Sequence, residues 1–211
     1  MRLIKICSLL LAFTLFTACA SKYNKISPES LNYTSKSDEK NIVLEYKYIQ
    51  LEKKYLKKEL KNGVKLVGVK IKNNSEKDIV LGADYKFIYD NGNEVLLLDK
   101  DFTFKTLKQS QASYLWYLLL SPAQLYSGTK TTQNGPFLVT EPQSVFPIGL
   151  ILGPGLAIGN IVAASDANKN FKNDLYNFDL TGKSIKKGET VYGIIGISTN
   201  QYESIKIKTL N

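Results

Sequence analysis

Apolar and polar residues alternate along the first and last parts of this chain, and between them the alternation stops. IVLEYKYIQ (42–50) puts Ile42, Leu44, Tyr46 and Tyr48 on one face, the period of a β-strand. VKLVGVKIKNN (64–74) alternates again, with Val67, Val69 and Ile71 set against Lys65, Lys70 and Lys72. IVLGADYKFIYD and EVLLLDK follow as short strands around an Asn91-Gly92 turn. Near the other end, Val191, Ile194, Ile195 and Ile197 surround Gly193 and Gly196, and Ile205 and Ile207 alternate with lysines, so Ser184–Leu210 reads as a closing β-hairpin. Short strands punctuated by turns predict an antiparallel sandwich or barrel.

KKYLKKELKNG (53–63) fits a short helix or a loop; its lysine run could meet anionic headgroups, although a solvated face explains it as well. No charge occurs from Gln109 to Thr129, nor from Pro142 to Ser165. SYLWYLLLSPAQLY lies in the first uncharged stretch and VFPIGLILGPGLAIGNIVAASD (145–166) spans the second, with a polar loop, TKTTQNGPFLVTEPQ, between them. Beyond Pro154-Gly155, Ile161, Ala164, Ala167, Phe171, Leu175 and Phe178 recur every three or four residues, the stripe of an amphipathic helix. The stripe favours an insert packed against the sandwich or the 112–126 segment. Interface-loving Trp116, Tyr114, Tyr117 and Tyr126, and the small-xxx-small pairs Gly149/Gly153 and Gly155/Gly159, support contact with a bilayer instead. Trp116, Tyr117, Leu119, Ile148, Leu150 and Ile151 are the candidate membrane or partner contacts.

The first eighteen residues change the picture. Arg2 and Lys5 precede an apolar core from Ile6 to Phe16, too short to cross a bilayer, and small residues follow. Phe16-Thr17-Ala18-Cys19 resembles the lipobox of exported bacterial lipoproteins, with Phe16 where leucine is usual. That resemblance implies cleavage before Cys19 and acylation of its thiol with lipid chains such as palmitate. Cys7 leaves with the leader, so a mature chain keeps one cysteine and forms no internal disulfide. Two or three acyl chains, at about 0.8 kcal/mol per buried methylene, make an essentially permanent anchor.

The expected organisation is a leader (1–18), a lipidated cysteine with a flexible polar tether (19–41), a β-sandwich (42–108 with 178–211) and an apolar helical insertion (109–177). GVKLVGVKIKNNSEKDIVLGADYKFIYDNGNEV and IKKGETVYGIIGI look like the two halves of an immunoglobulin-like domain found in such lipoproteins. The fold class is then mainly β, an immunoglobulin-like antiparallel sandwich with an apolar helical insertion. The resemblance supplies no catalytic residues.

Composition narrows the chemistry. The chain carries +9, and removal of Arg2 and Lys5 with the leader leaves +7. With no histidine and no arginine beyond Arg2, the usual general base, the commonest zinc ligand and the bidentate fork for phosphate or guanine are missing. Neither a metal nor a cofactor is expected, and nucleic acid is not an expected partner. Asp166-x-Asn168-x-Asn170 lacks the glycine and glutamate of a calcium loop, and Ser127–Lys130 is one of three chance Ser-x-x-Lys matches. The function expected is a non-catalytic envelope protein in a Gram-negative outer membrane, scaffolding or binding another envelope protein or a glycan. A membrane-inserting protein acting through residues 112–164 is the alternative. A hydrolase built on Asp, Glu, Ser or Lys is a weaker third.

Overall fold

A computed structural model describes residues 19–134 and 136–210. The leader and the residues before Cys19 in the lipobox-like stretch lie outside the described residues. In chain order come β1 (Ser35–Glu39), β2 (Ile42–Ile49), helix α1 (Lys53–Asn62), β3 (Val64–Asn73), β4 (Ile79–Val80), β5 (Tyr85–Tyr89) and β6 (Leu97–Leu98). Helix α2 (Lys100–Leu107), a 3-10 helix (Ala112–Leu120), β7 (Leu125–Asn134), β8 (Phe137–Phe146) and helix α3 (Gly149–Asn177) follow. β9 (Ser184–Ile185), β10 (Thr190–Ser198) and β11 (Ile205–Thr209) close the chain. The residues form two units: a β unit, Tyr23–Gln109 with Ala167–Asn211, and an insert unit, Ser110–Asp166 with the residues up to Lys22. Helix α3 contributes to both.

In the β unit a five-stranded antiparallel sheet runs in the order β1-β2-β3-β10-β6. The two stretches that carry the immunoglobulin-like resemblance meet here, since β3 pairs with β10 from Val64↔Ser198 to Lys72↔Thr190. One face presents Leu44, Val69, Ile71 and Val191 to Tyr85 and Phe87 of β5, Ile205 and Ile207 of β11, and Ile79 and Ile185 of the β4–β9 pair. The other face presents Val64, Leu66 and Ile194 to Tyr55 of α1, Leu107 of α2, and Ala167, Phe171 and Leu175 of α3. β3 is therefore buried on both sides, which its valines and leucine on opposite parities allow.

Several expectations change. Ser184–Leu210 is not a hairpin: β10 pairs with β3 and β6, whereas β11 pairs with β5. Lys65, grouped with the exposed lysines, has the parity of Val67 and is buried. EVLLLDK yields only the two-residue β6, because Asp99 starts a helix: its carboxylate accepts hydrogen bonds from the Asp101 and Phe102 amides at 2.7 and 3.2 Å. The lysine-rich 53–63 segment is helical, with Tyr55 and Glu59 inward, the lysines at the surface, and Gly63 as its left-handed cap.

The segment expected as a flexible tether is folded. Tyr23 and Ile26 are buried, and Asp174 of α3 accepts hydrogen bonds from the Tyr23 hydroxyl (2.9 Å) and the Ile26 amide (2.8 Å). Burial, and then the Asp174 charge, push the Tyr23 hydroxyl far above its ordinary pKa. Ser35–Glu39 then forms an edge strand, joined to β2 by Lys40 and Asn41, both at positive φ as a tight two-residue hairpin turn requires.

Candidate membrane interface

The insert unit begins with a short period. A 3-10 helix repeats every three residues, so Tyr114, Tyr117 and Leu120 share one face, and that face is the one turned inward. Leu115, Trp116, Leu118 and Leu119 occupy the other positions and are exposed, Trp116 at 72 %.

Helix α3 packs against this segment with its small residues. Gly149, Gly153, Ala157, Asn160 and Ala164 are its buried positions before Asp166, spaced three and four apart. A Cβ on Gly149 would lie 2.1 Å from the Leu120 carbonyl oxygen and 2.6 Å from that of Ser121, and one on Gly153 would meet the Ser121 side chain and backbone. The first small-xxx-small pair thus lets two backbones approach closely, while Gly155 and Gly159 face open space. Gly149→Ala is expected to raise amide hydrogen exchange across Ala112–Leu120. Gly159→Ala should leave that exchange unchanged and strengthen the helix by about 1 kcal/mol.

The large residues of α3 point the other way. Leu150, Ile151, Leu152, Ile158 and Val162 are exposed. A helix in water buries its large aliphatics and exposes small or polar groups; here the fully buried apolar positions before Asp166 are glycines and alanines, these five aliphatics are outside, and Leu156 and Ile161 are half-buried. Helix α3 is long and apolar enough to cross a membrane by length and composition, with 28 % of its most apolar window buried. However, its uncharged portion ends at Ser165. From Gly149 that portion rises about 25 Å, short of the roughly 30 Å of bilayer hydrocarbon. The helix starts at Gly149 rather than after Pro154-Gly155 as the sequence suggested, and it retains Pro154, which cannot donate a hydrogen bond to the Leu150 carbonyl.

The stretch expected as a polar loop is a hairpin, β7 with β8. Leu125 and Tyr126 pair with Phe146 and Val145 at its base, and Asn134, Gln133 and Thr132 pair with Phe137, Leu138 and Val139 near its tip. Phe137 and Leu138 are among the most exposed side chains described, Leu138 at 74 %. A two-stranded ribbon is marginal in water by itself. Of the large apolar side chains left exposed among the described residues, all but Leu60, Leu96, Phe102, Tyr176, Tyr202 and Leu210 lie in this unit.

Cys19 belongs to the same unit and is exposed. Burial pushes the Tyr117 hydroxyl up, and the Cys19 sulfur beside it adds to the shift. The Ala20 amide donates to Asn160 Oδ1 at 2.5 Å, and Asn160 Nδ2 donates to the Leu156 carbonyl at 2.8 Å, so the chain behind Cys19 is pinned to mid-helix. Of the six contact residues expected from sequence, Trp116, Leu119, Leu150 and Ile151 are exposed and Ile148 is half-buried. Tyr117 is instead a packing residue, removed from the surface by the three-residue period. Sequence reading missed Phe137, Leu138, Ile158 and Val162; the Asn134-Gly135 hairpin signal ahead of Phe-Leu-Val could have found the first two.

Among the described residues no group of three His, Cys, Asp or Glu side chains could hold a metal ion. Comparison with family models, with curated proteins and with solved structures gave no match to this chain.

Proposed function

We propose that this chain is a non-catalytic, lipid-anchored protein of the bacterial cell envelope, with the outer membrane of a Gram-negative cell as its site. Acyl chains on Cys19 hold it there, and the exposed apolar faces of the insert unit lie in the same bilayer. The β unit, an immunoglobulin-like sandwich in this reading, serves as a scaffolding or binding module for another envelope component. The observation that carries the proposal is the inverted packing of α3 before Asp166, with Gly149, Gly153, Ala157 and Ala164 inside and Leu150, Ile151, Leu152, Ile158 and Val162 outside. Hydrocarbon removes the cost of exposing those aliphatics, and close helix contacts through small residues are what holds apolar segments together in lipid. The position of Cys19 on this unit adds support, because its acyl chains would enter the bilayer beside those faces.

The test uses liposomes and a mature Cys19→Ser chain, which has no acyl anchor. It is expected to float with the vesicles, and the emission of Trp116, the only tryptophan, should shift to the blue. The same chain carrying Leu150→Ser, Ile151→Ser and Trp116→Ser should remain with the soluble fraction. If the Cys19→Ser chain stays soluble with unshifted emission, the insert is not a membrane contact. The exposed Phe137–Val139 tip favours one further reading, a protein that perturbs the bilayer. Release of an entrapped dye by the Cys19→Ser chain, abolished by Phe137→Ser with Leu138→Ser, would support it; intact vesicles favour anchoring alone.

A further inference from the structure

The β unit contains an open groove of about 620 Å³, in the size range of small-ligand sites. Thr34, Ser35, Lys47, Tyr48, Gln50 and Tyr202 supply most of its lining, and no acidic side chain contributes. Tyr202 forms one wall and is 58 % exposed, yet it is held on two sides. Tyr48 meets it edge-on, with ring centroids 5.1 Å apart at 82°, and Tyr48 is itself fixed by its hydroxyl, which donates to the Glu203 carbonyl at 2.7 Å. The Lys65 ammonium lies 3.8 Å from the Tyr202 ring centroid.

That ammonium is unusually placed. It is buried and paired with the equally buried Glu59 at 3.1 Å, and Glu59 Oε2 has no hydrogen-bond partner. As a stability device such a pair roughly breaks even against apolar side chains of the same volume. What it does here is fix a cation against an exposed aromatic ring, so that the ring is ordered before any ligand arrives.

We infer that this groove binds a saccharide chain, with the apolar face of one sugar ring stacked on Tyr202 and its hydroxyl or amide groups bonded to Lys47, Gln50, Thr34 and Ser35. The chemistry selects this class. A ring that already takes a cation is a poor host for a second, and Lys47 repels cationic ligands further. One ammonium, without arginine, is too little to hold a phosphate or a polyanion. A peptide would be bound mainly through its backbone along a strand edge, and on its β1 side β2 leaves only Lys47–Ile49 unpaired beyond Ser35↔Tyr46. The side chains instead offer hydroxyls, an amide and an ammonium beside the Tyr202 and Tyr48 rings, with Leu31 and Ile49 completing the lining. A neutral sugar presents the matching surface of C–H groups bordered by hydroxyls. The inference is independent of the lipid anchor and of the insert.

The full chain in detergent micelles would be titrated calorimetrically with chitotetraose, maltotetraose and cellotetraose. At least one is expected to bind. Tyr202→Ala should weaken that binding about tenfold, while Tyr202→Phe, which keeps the ring, stays near the wild type. Gln50→Ala, at an exposed position whose loss cannot unfold the sheet, should weaken it severalfold, and the remote exposed Leu60→Ala should not. Absence of heat with all three sugars up to about 10 mM overturns the assignment. Binding indifferent to both Tyr202→Ala and Gln50→Ala also overturns it, as does Tyr202-dependent capture of a proline-rich peptide in place of the sugars.

Discussion

Replacing Phe171 by alanine is expected to lower the stability of the β unit by about 3–5 kcal/mol. Phe171 is fully buried in the last third of α3, with its ring 5.3 Å from Tyr23, 5.2 Å from Tyr55 and 6.0 Å from Phe104. Those neighbours come from the N-terminal segment, α1 and α2, and the two tyrosines are held by other bonds. The Tyr23 hydroxyl is fixed by Asp174, and the Tyr55 hydroxyl donates to Asn168 Oδ1 at 3.1 Å. They cannot collapse into the space that alanine leaves, so a cavity cost adds to the lost transfer energy. An edge-on ring pair contributes about 0.5–1.5 kcal/mol beyond buried area, and Phe171→Ala removes the edge-on contact with Tyr55 along with the tilted contacts to Tyr23 and Phe104. Urea unfolding followed by near-ultraviolet tyrosine dichroism measures the loss, with Trp116 reporting separately on the insert. Leu60→Ala, at an exposed site on α1, should move the midpoint little. A loss under about 1 kcal/mol for Phe171→Ala would mean that α3 does not carry this core.

The place of Phe171 was legible in the sequence, and the contrast with what was not is instructive. The stripe Ile161, Ala164, Ala167, Phe171, Leu175 and Phe178 stands out because apolar residues recur among polar ones at helical spacing; its four middle members are buried and its two ends half-buried. The strand at Ile42–Tyr46 was legible for the same reason at period two. Residues 19–41 hid their order because Tyr23 and Ile26 are the large apolar anchors of the first part, too few to make a pattern, and because β1 is an all-polar edge strand, whose charge suits an unpaired edge. The pairing of β11 with β5 instead of β10 was out of reach: alternation shows that a strand exists, not which sheet it joins. Helix α2 was concealed by continuity with the apolar run before it. At the candidate membrane interface the failure has a different origin. Periodicity was read on the assumption that large residues turn inward, and α3 before Asp166 reverses that rule. Asn168, a polar residue between the positions of the apolar stripe, is buried too, where its amide exchanges hydrogen bonds with the Gln109 backbone at 2.9 Å in both directions.

Lys65→Met alone is expected to cost the β unit about 3–5 kcal/mol, and adding Glu59→Leu should recover most of that loss. Parity gives Lys65 of β3 the buried register of Val67, and the helical spacing of Tyr55 and Glu59 turns Glu59 inward from α1. The two meet with side chains 4 % and 1 % exposed. Removing one partner leaves a carboxylate out of water with nothing to offset its desolvation, and one of its oxygens already lacks a partner. Removing both leaves an apolar contact of similar volume. The pH dependence follows from the lysine. Burial opposes its charge, but Tyr202 and Glu59 favour it more strongly, and the ammonium is held above its ordinary value of 10.5. A raised folded-state pKa means that the contribution is whole below pH 10.5 and fades as pH rises through the folded value. Wild type should therefore lose stability at alkaline pH faster than the Glu59→Leu/Lys65→Met chain, measured as the difference between their urea midpoints. If Lys65→Met alone proves neutral, the Glu59 carboxylate is not stranded away from water. The cation behind Tyr202 would then be a dispensable ornament of the fold, and the ordered wall of the groove would have to be maintained by Tyr48 alone.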